Sequence, residues 1–276
     1  MYYIKFIKNL KSHSASLLLV CFIAIIITNG CQDSNNSAKN NKVSPHSTHL
    51  PLIVGISADY PPFEFVENGE FKGLDIDLTN LIGKHLNRKI EFKDLNYSNL
   101  FTALNSGQID MAISTITFTQ ERSKNFDLSN AYYLADIALI FRKDQPIRNI
   151  SDLHDKKVGA QLGSTMEMWA KNCGQKIKLV SMDVSLQLIE AVKSKQLDLA
   201  VSEEVQAKEF CKRNPDLGYL VVAKAEHGYV VALKQGSILL KDINSAIEHI
   251  KQQGDFEKLK HKWLDILFEM EVHDAS

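Results

Sequence analysis

The sequence predicts an α/β protein. Between about residues 50 and 268, short apolar runs of strand length alternate with stretches whose apolar residues recur at helical spacing. Hydroxyl and glycine residues collect where a strand-like run gives way to a helical one, and no segment repeats at a fixed period. Strands and helices in alternation mean a mostly parallel sheet covered by helices.

The first strand is "LIVGI" (Leu52 to Ile56), and it runs into "SADYPPFEF" (Ser57 to Phe65). Two prolines end the ladder and fix φ, so this loop is stiff and holds the rings of Tyr60, Phe63 and Phe65 in place. Two readings stand: rings turned inward as a core cap, or at least one ring facing a ligand. "GLDIDLTNLIGKHL" (Gly73 to Leu86) follows as a helix, with Leu74, Leu78, Leu81, Ile82 and Leu86 on one face. Asp75 reads as its N-cap and Asp77 as a first-turn acid near the positive dipole end. "KIEFKDL" alternates as a strand, and "SNLFTALNSG" is a short helix capped by Ser98 and ended by Gly107. "DMAIS" is a buried strand and "TQERSKN" opens another helix.

The second half keeps the rhythm. "DIALIFRK", "KKVGAQ", "IKLVSM" and "LDLAV" read as strands, while "GSTMEMWAK", "SLQLIEAVKSK" and "EEVQAKEFCKR" read as helices. After "YLVVAK" and "YVVAL", the chain finishes in two helices, "SILLKDINSAIEHIKQQG" and "DFEKLKHKWLDILF".

The N-terminus marks export. Residues 1–16 hold Lys5, Lys8, Lys11 and no acid, before the unbroken apolar run Leu17 to Ile27. That run is shorter than the roughly 20 residues of a membrane span. It ends in "TNGC", which resembles the lipobox of bacterial lipoproteins, with Thr28 departing from the usual leucine and Cys31 at the acylated position. The alternative is an ordinary cleaved signal with Cys31 incidental. Residues 1–30 are then a signal peptide and the polar stretch 31–49 a flexible tether. Without the signal's three lysines the formal charge moves from −1 to −4. No basic patch with interleaved aromatics points to nucleic acid. Of the four cysteines, Cys21 leaves with the signal, so Cys173 and Cys211 remain as a disulfide or as two separate buried thiols. No His or Cys cluster has metal spacing and no GxxxxGK[ST] loop occurs, so neither metal nor cofactor is expected.

Two loops carry the chemistry. "STITFTQER" (Ser114 to Arg122) sets hydroxyls at 114, 115, 117 and 119 before an arginine, and "QLGSTME" (Gln161 to Glu167) sets a glycine and two hydroxyls before a helix. Free N–H groups at a helix start attract anions, and a guanidinium fork matches a carboxylate. Ser, Thr and Gly also make ordinary caps and turns. A third candidate is "SEEV" (Ser202 to Val205): a carboxylate at a strand's C-terminal end lies where α/β sheets bind ligands.

Together "ADYPPFEF", "GLDIDLTNLIGKHL", "STITFTQER", "VGAQLGST", "DLAVSEEV" and the tail "INSAIEHIKQQGDFEKLKHKWL" resemble, in order and spacing, the family 3 extracellular solute-binding proteins. The resemblance implies two α/β lobes of the type II periplasmic-binding-protein fold, joined by crossover strands at "DIALIF" and "GYVVAL". Lobe 1 would be residues 50–136 plus 229–276, and lobe 2 residues 137–228. It implies a non-enzymatic, monomeric receptor, lipid-anchored on the outer side of a bacterial membrane, that delivers a free amino acid to an ABC-transporter permease. It also implies roles. Tyr60 and Tyr97 would flank the ligand, Arg122 with the N–H groups of Thr117 and Thr165 would grip its carboxylate, and Ser114, Thr115 and Ser164 would line that end. Glu203 would take the ammonium where the family has aspartate. Asp59, Glu64 and Gln161 near the side-chain end tilt the ligand toward a polar or cationic amino acid, arginine first. A Cys173–Cys211 bridge would lie within lobe 2. The rival from another class is a periplasmic cyclohexadienyl dehydratase on the same fold, with Glu203 as the acid.

Overall fold

The computed structural model describes residues 50–264 and contains two five-stranded sheets. The signal, the Cys31 site, the tether and the last residues of the tail lie outside the described residues. Strands are β1 (Leu52–Ile56), β2 (Asp59–Tyr60), β3 (Glu64–Glu67), β4 (Glu70–Lys72), β5 (Ile90–Asp94), β6 (Met111–Ala112), β7 (Phe126–Leu128), β8 (Ile137–Arg142), β9 (Lys157–Gln161), β10 (Lys178–Met182), β11 (Leu199–Glu203), β12 (Leu217–Ala223) and β13 (Ala232–Lys234). Helices are α1 (Leu74–His85), α2 (Leu100–Ser106), α3 (Gln120–Ser123), α4 (Thr165–Asn172), α5 (Ser185–Lys193), α6 (Glu204–Arg213), α7 (Leu240–Gln252) and α8 (Asp255–Trp263).

The first sheet has the order β5-β1-β6-β13-β7, with β1 parallel to β5 and β6, and β13 antiparallel to β6 and β7. The second has the order β10-β9-β11-β8-β12, with β8 running against both β11 and β12. The apolar stripe of α1, Leu74, Leu78 and Ile82, shares one core with the β1 residues and with Ile243, Ile247 and Phe256 of α7 and α8. The C-terminal helices therefore complete the first lobe.

The chain crosses between the sheets twice, around Tyr133 and around Tyr229. These two residues pair as an antiparallel bridge, with the Tyr229 N–H donating to the Tyr133 carbonyl at 2.8 Å. The expected crossover "DIALIF" is instead a full strand of the second sheet, because residues 137–141 pair along their length with β11 and β12. The actual crossing falls a few residues earlier.

Two local readings change, both of them helix caps, and the proline loop keeps the stiffness expected of it. The proline loop is pinned by a small antiparallel sheet, β2-β3-β4. Phe63 is fully buried, edge-on to Tyr133 and Tyr229 with ring centroids 5.4 Å apart, while Phe65 packs on Trp263. Asp75 does not cap α1: the N-cap is Gly73, whose φ of 126° and close approach to the Phe63 carbonyl exclude a side chain. Ser98 does not cap α2; its hydroxyl donates instead to Asp183 Oδ1 at 2.6 Å in the second lobe.

The expected Cys173–Cys211 bridge is also corrected, since both are free thiols. Side chains alternate across a strand, and Leu139 and Phe141 face the cluster that holds Cys173 while Ala138 and Ile140 face the one that holds Cys211. The second sheet stands between the two sulfurs. Helices α4 and α6 cover its opposite faces.

Candidate functional site

Three strands of the second sheet end at the first lobe. β9 leads through Gly163 and Ser164 into α4, β10 through Asp183 and Val184 into α5, and β11 directly into α6. Opposite them stand the β2 end with Tyr60, the turn before α2 with Tyr97, and Thr115 after β6. Between the two groups lies a small cavity of about 20 Å³, lined on one side by Tyr60, Tyr97 and Thr115 and on the other by Gln161, Ser164, Ser185, Ser202, Glu203 and Gln206. That is about one water's worth of space. A guest of amino-acid size enters only when the lobes part.

The cavity's polar groups are unusually poor in partners. Ser185 Oγ, Glu203 Oε2 and Gln206 Nε2 are buried and accept or donate no hydrogen bond within the protein. Buried polar atoms without partners are rare, and each calls for an explanation. Of the six such atoms among the described residues, these three come from the second lobe and line one cavity. Burial pushes the Glu203 carboxyl up to about 8, and its own backbone N–H opposes this only in part.

Direct contacts close the lobes around this space. Asp59 Oδ2 accepts the Ser185 N–H, and the Tyr60 and Ser202 hydroxyls lie 3.4 Å apart. Helix α5 has Val184 at its N-cap and no side-chain cap of its own, so Asp59 caps it from the other lobe. Burial raises the Asp59 carboxyl to about 6, against the pull of the Ser185 N–H.

The predicted residues do not all meet. Tyr60, Tyr97, Thr115, Gln161, Ser164, Thr165 and Glu203 line the cavity. The Ser164 hydroxyl is engaged in capping α4, accepting from the Glu167 N–H at 3.2 Å and donating to the Gln161 carbonyl at 2.7 Å. Thr117 faces a second cavity of about 330 Å³ beside the crossings, which Thr165 and Glu203 also line. Arg122 stands one layer out. Its Nη1 donates to the Thr117 carbonyl at 2.7 Å, and its Nη2 to the Tyr97 hydroxyl at 3.2 Å and the Gly163 carbonyl at 3.0 Å. Ser114 and Glu64 are sealed behind the wall, the serine donating to Glu64 Oε1 at 2.7 Å. Asp59 reaches Ser185 at the wall without lining the cavity.

Sequence reasoning missed Ser185, Ser202 and Gln206. The rule that singled out β9 and β11, ligands at the C-terminal ends of strands, applies equally to β10 and its "MDVS" loop. Gln206 sits one turn beyond Ser202, whose hydroxyl donates to Gln206 Oε1 at 2.7 Å. Among the described residues, no group of three or more His, Cys, Asp or Glu side chains is placed to hold a metal ion.

The chain is similar to several known proteins. The arginine-binding extracellular protein ArtP of Bacillus subtilis is 35% identical over 252 residues, covering 90% of this chain and 96% of ArtP. A probable histidine-binding protein of Campylobacter jejuni is 30% identical, covering 89% and 96%. Among solved structures, the amino acid ABC transporter substrate-binding protein AbpA of Streptococcus pneumoniae, bound to L-arginine, superposes with a TM-score of 0.72 at 35% identity, covering 79% of this chain and 94% of AbpA. The profile of one family matches residues 52–266. With the two sheets, the crossings and the cleft between them, this match settles the family: the chain belongs to the bacterial extracellular solute-binding proteins, family 3.

Proposed function

We propose that the protein is the extracytoplasmic receptor of an ABC importer for a polar or cationic L-amino acid, with L-arginine the first candidate. The observation that carries this reading is the convergence of Ser185 Oγ, Glu203 Oε2 and Gln206 Nε2, all buried and unpartnered, on one cavity between two lobes. Such a wall suits a small ligand with its own donors and acceptors. Relatives named for arginine and histidine support a cationic side chain, while others are named for cystine and glutamine. Glu64 drops out of the side-chain end, since it is sealed behind the wall and does not line the cavity. Gln161 remains there, whereas Asp59 reaches the wall only as the acceptor of the Ser185 N–H. The family is one of binding proteins rather than enzymes, and the dehydratase alternative finds no support in it.

In this reading the ligand's carboxylate draws Arg122 and the free N–H of Thr165 at the start of α4, while Glu203 takes the ammonium. Ligand seated on one lobe adds contacts to the other and shifts an open–closed equilibrium. A thermal-shift panel of the twenty amino acids plus ornithine tests it. A ligand at 100 times its Kd is expected to add about 2.7 kcal/mol of stability. No shift with any of the panel would end the amino-acid reading.

Cys31 is, in the same proposal, acylated and the anchor of the mature chain, on the strength of the apolar run that ends in "TNGC". Wild-type protein is expected in the detergent phase of a phase separation, and Cys31→Ser is expected to release soluble protein or to block processing. Wild type wholly in the aqueous phase would remove the anchor.

A further inference from the structure

Thr115 is a strained residue in the wall of the cavity. Its φ is +46°, in the left-handed region, where a β-branched side chain is a genuine outlier that persists only when its surroundings impose it. Its N–H is held by Asp75, whose Oδ2 accepts it at 2.9 Å. Asp75 is fully buried in the first turn of α1, and both of its oxygens accept the Tyr132 hydroxyl at 2.9 Å. Tyr132 in turn donates its N–H to the Tyr229 carbonyl at 2.9 Å, inside the paired crossings. One carboxylate thus ties together a helix, the pocket wall and the crossing.

Neither Asp75 nor Tyr132 lines the cavity; Thr115 does. A helix start could be capped without sealing a carboxylate in the core, and this one is not capped by Asp75 at all. Burying a charge-bearing group is unfavourable unless it is hydrogen-bonded. The Thr115 N–H and the Tyr132 hydroxyl supply those bonds.

We propose that Asp75 is a positioning residue for the ligand pocket, holding Thr115 in its left-handed conformation and so fixing the first lobe's side of the wall. The inference rests on the proposed receptor function for the identity of the guest, and on geometry alone for the Asp75–Thr115 link.

The test is calorimetric titration with L-arginine, or with the panel amino acid that wild type binds most tightly. Asp75→Ala is expected to weaken binding roughly tenfold, the equivalent of one residue's left-handed backbone penalty. Asp75→Asn keeps an acceptor for the Thr115 N–H and is expected to stay within about threefold of wild type. Thr115→Gly tolerates the same φ without help, so adding Asp75→Ala to it is expected to change affinity little. If Asp75→Ala weakens binding equally with and without Thr115→Gly, the positioning role is overturned. A mere contribution to folding would show in urea midpoints and not in that coupling.

Hydrogen exchange of the wild-type Thr115 amide decides the matter if Asp75→Ala fails to fold. Protection like that of a core strand supports the link, and exchange as fast as an exposed loop removes it. Should wild type bind nothing in the panel, the receptor reading fails while exchange still judges Asp75.

Discussion

Replacing Arg122 with alanine is expected to weaken amino-acid binding by about 30- to 4000-fold, or 2–5 kcal/mol. The guanidinium is oriented from the first lobe by the Thr117 carbonyl and by the Phe101 ring, whose centroid lies 5.0 Å from Cζ. It reaches the second lobe at the Gly163 carbonyl, next to the free N–H groups that open α4. A carboxylate entering between them would replace a neutral acceptor with a charged one, and charge-assisted bidentate bonds are the stronger kind. Alanine leaves that carboxylate with hydroxyl and N–H donors only. Arg122→Lys should recover a part, because a point charge cannot make two parallel hydrogen bonds. Arg122 is buried and makes three hydrogen bonds in the protein, so Arg122→Ala should also lower stability by about 1–3 kcal/mol. Calorimetric titration of both variants separates the two effects, and unchanged affinity in Arg122→Ala would remove the carboxylate role.

Glu203→Gln is expected to make the fold more stable and the receptor worse. The Glu203 carboxyl is held near 8, above its ordinary 4.5, by burial. Between those two pH values the unfolded chain ionises while the folded one keeps its proton. This group's contribution is therefore fully present below about 4.5 and is lost as pH rises toward 8. Glutamine removes that slope, and at pH 8 the variant should gain on the order of 3 kcal/mol. Asp59 and Asp75, held near 6 and 7, slope the same way in both proteins, so the difference between the two curves isolates Glu203. An ammonium ligand reverses the balance, since it needs the carboxylate. Below pH 8 wild type should release a proton on binding, read as a dependence of binding heat on buffer ionisation. Glu203→Gln should show none from this group and bind roughly 10- to 100-fold more weakly. Equal affinity, or an unchanged pH slope, would take Glu203 out of the site.

Much of this was legible in the residues, and the gaps have physical causes. The alternation of strand and helix needed only local pattern, and the sheets follow it. Of the cavity-lining residues, Glu203 was marked by its place at a strand end, while the roles of Tyr60 and Thr165 were carried over from the family resemblance. Asp75 and Ser98 were misread as caps because nearness to a helix start is all that sequence offers, whereas their partners Thr115, Tyr132 and Asp183 lie at least 40 residues away along the chain. The two thiols were paired because chain order says nothing about which face of a sheet a helix covers. Gln206 was invisible: a glutamine in the first turns of a charged helix looks like any solvated side chain until the fold buries it completely.

The first turn of α5 has a borrowed cap. Its Ser185 N–H is taken by Asp59 of the opposite lobe, and Asp183, two residues upstream, receives the Ser98 hydroxyl from that same lobe. Linkage between two equilibria is reciprocal. When the lobes meet, the helix start is stabilised; by the same amount, anything that strengthens that helix start draws the lobes together. The receptor's affinity can then be tuned from outside the cavity, by residues that never touch the guest, simply by altering how much α5 needs its neighbour.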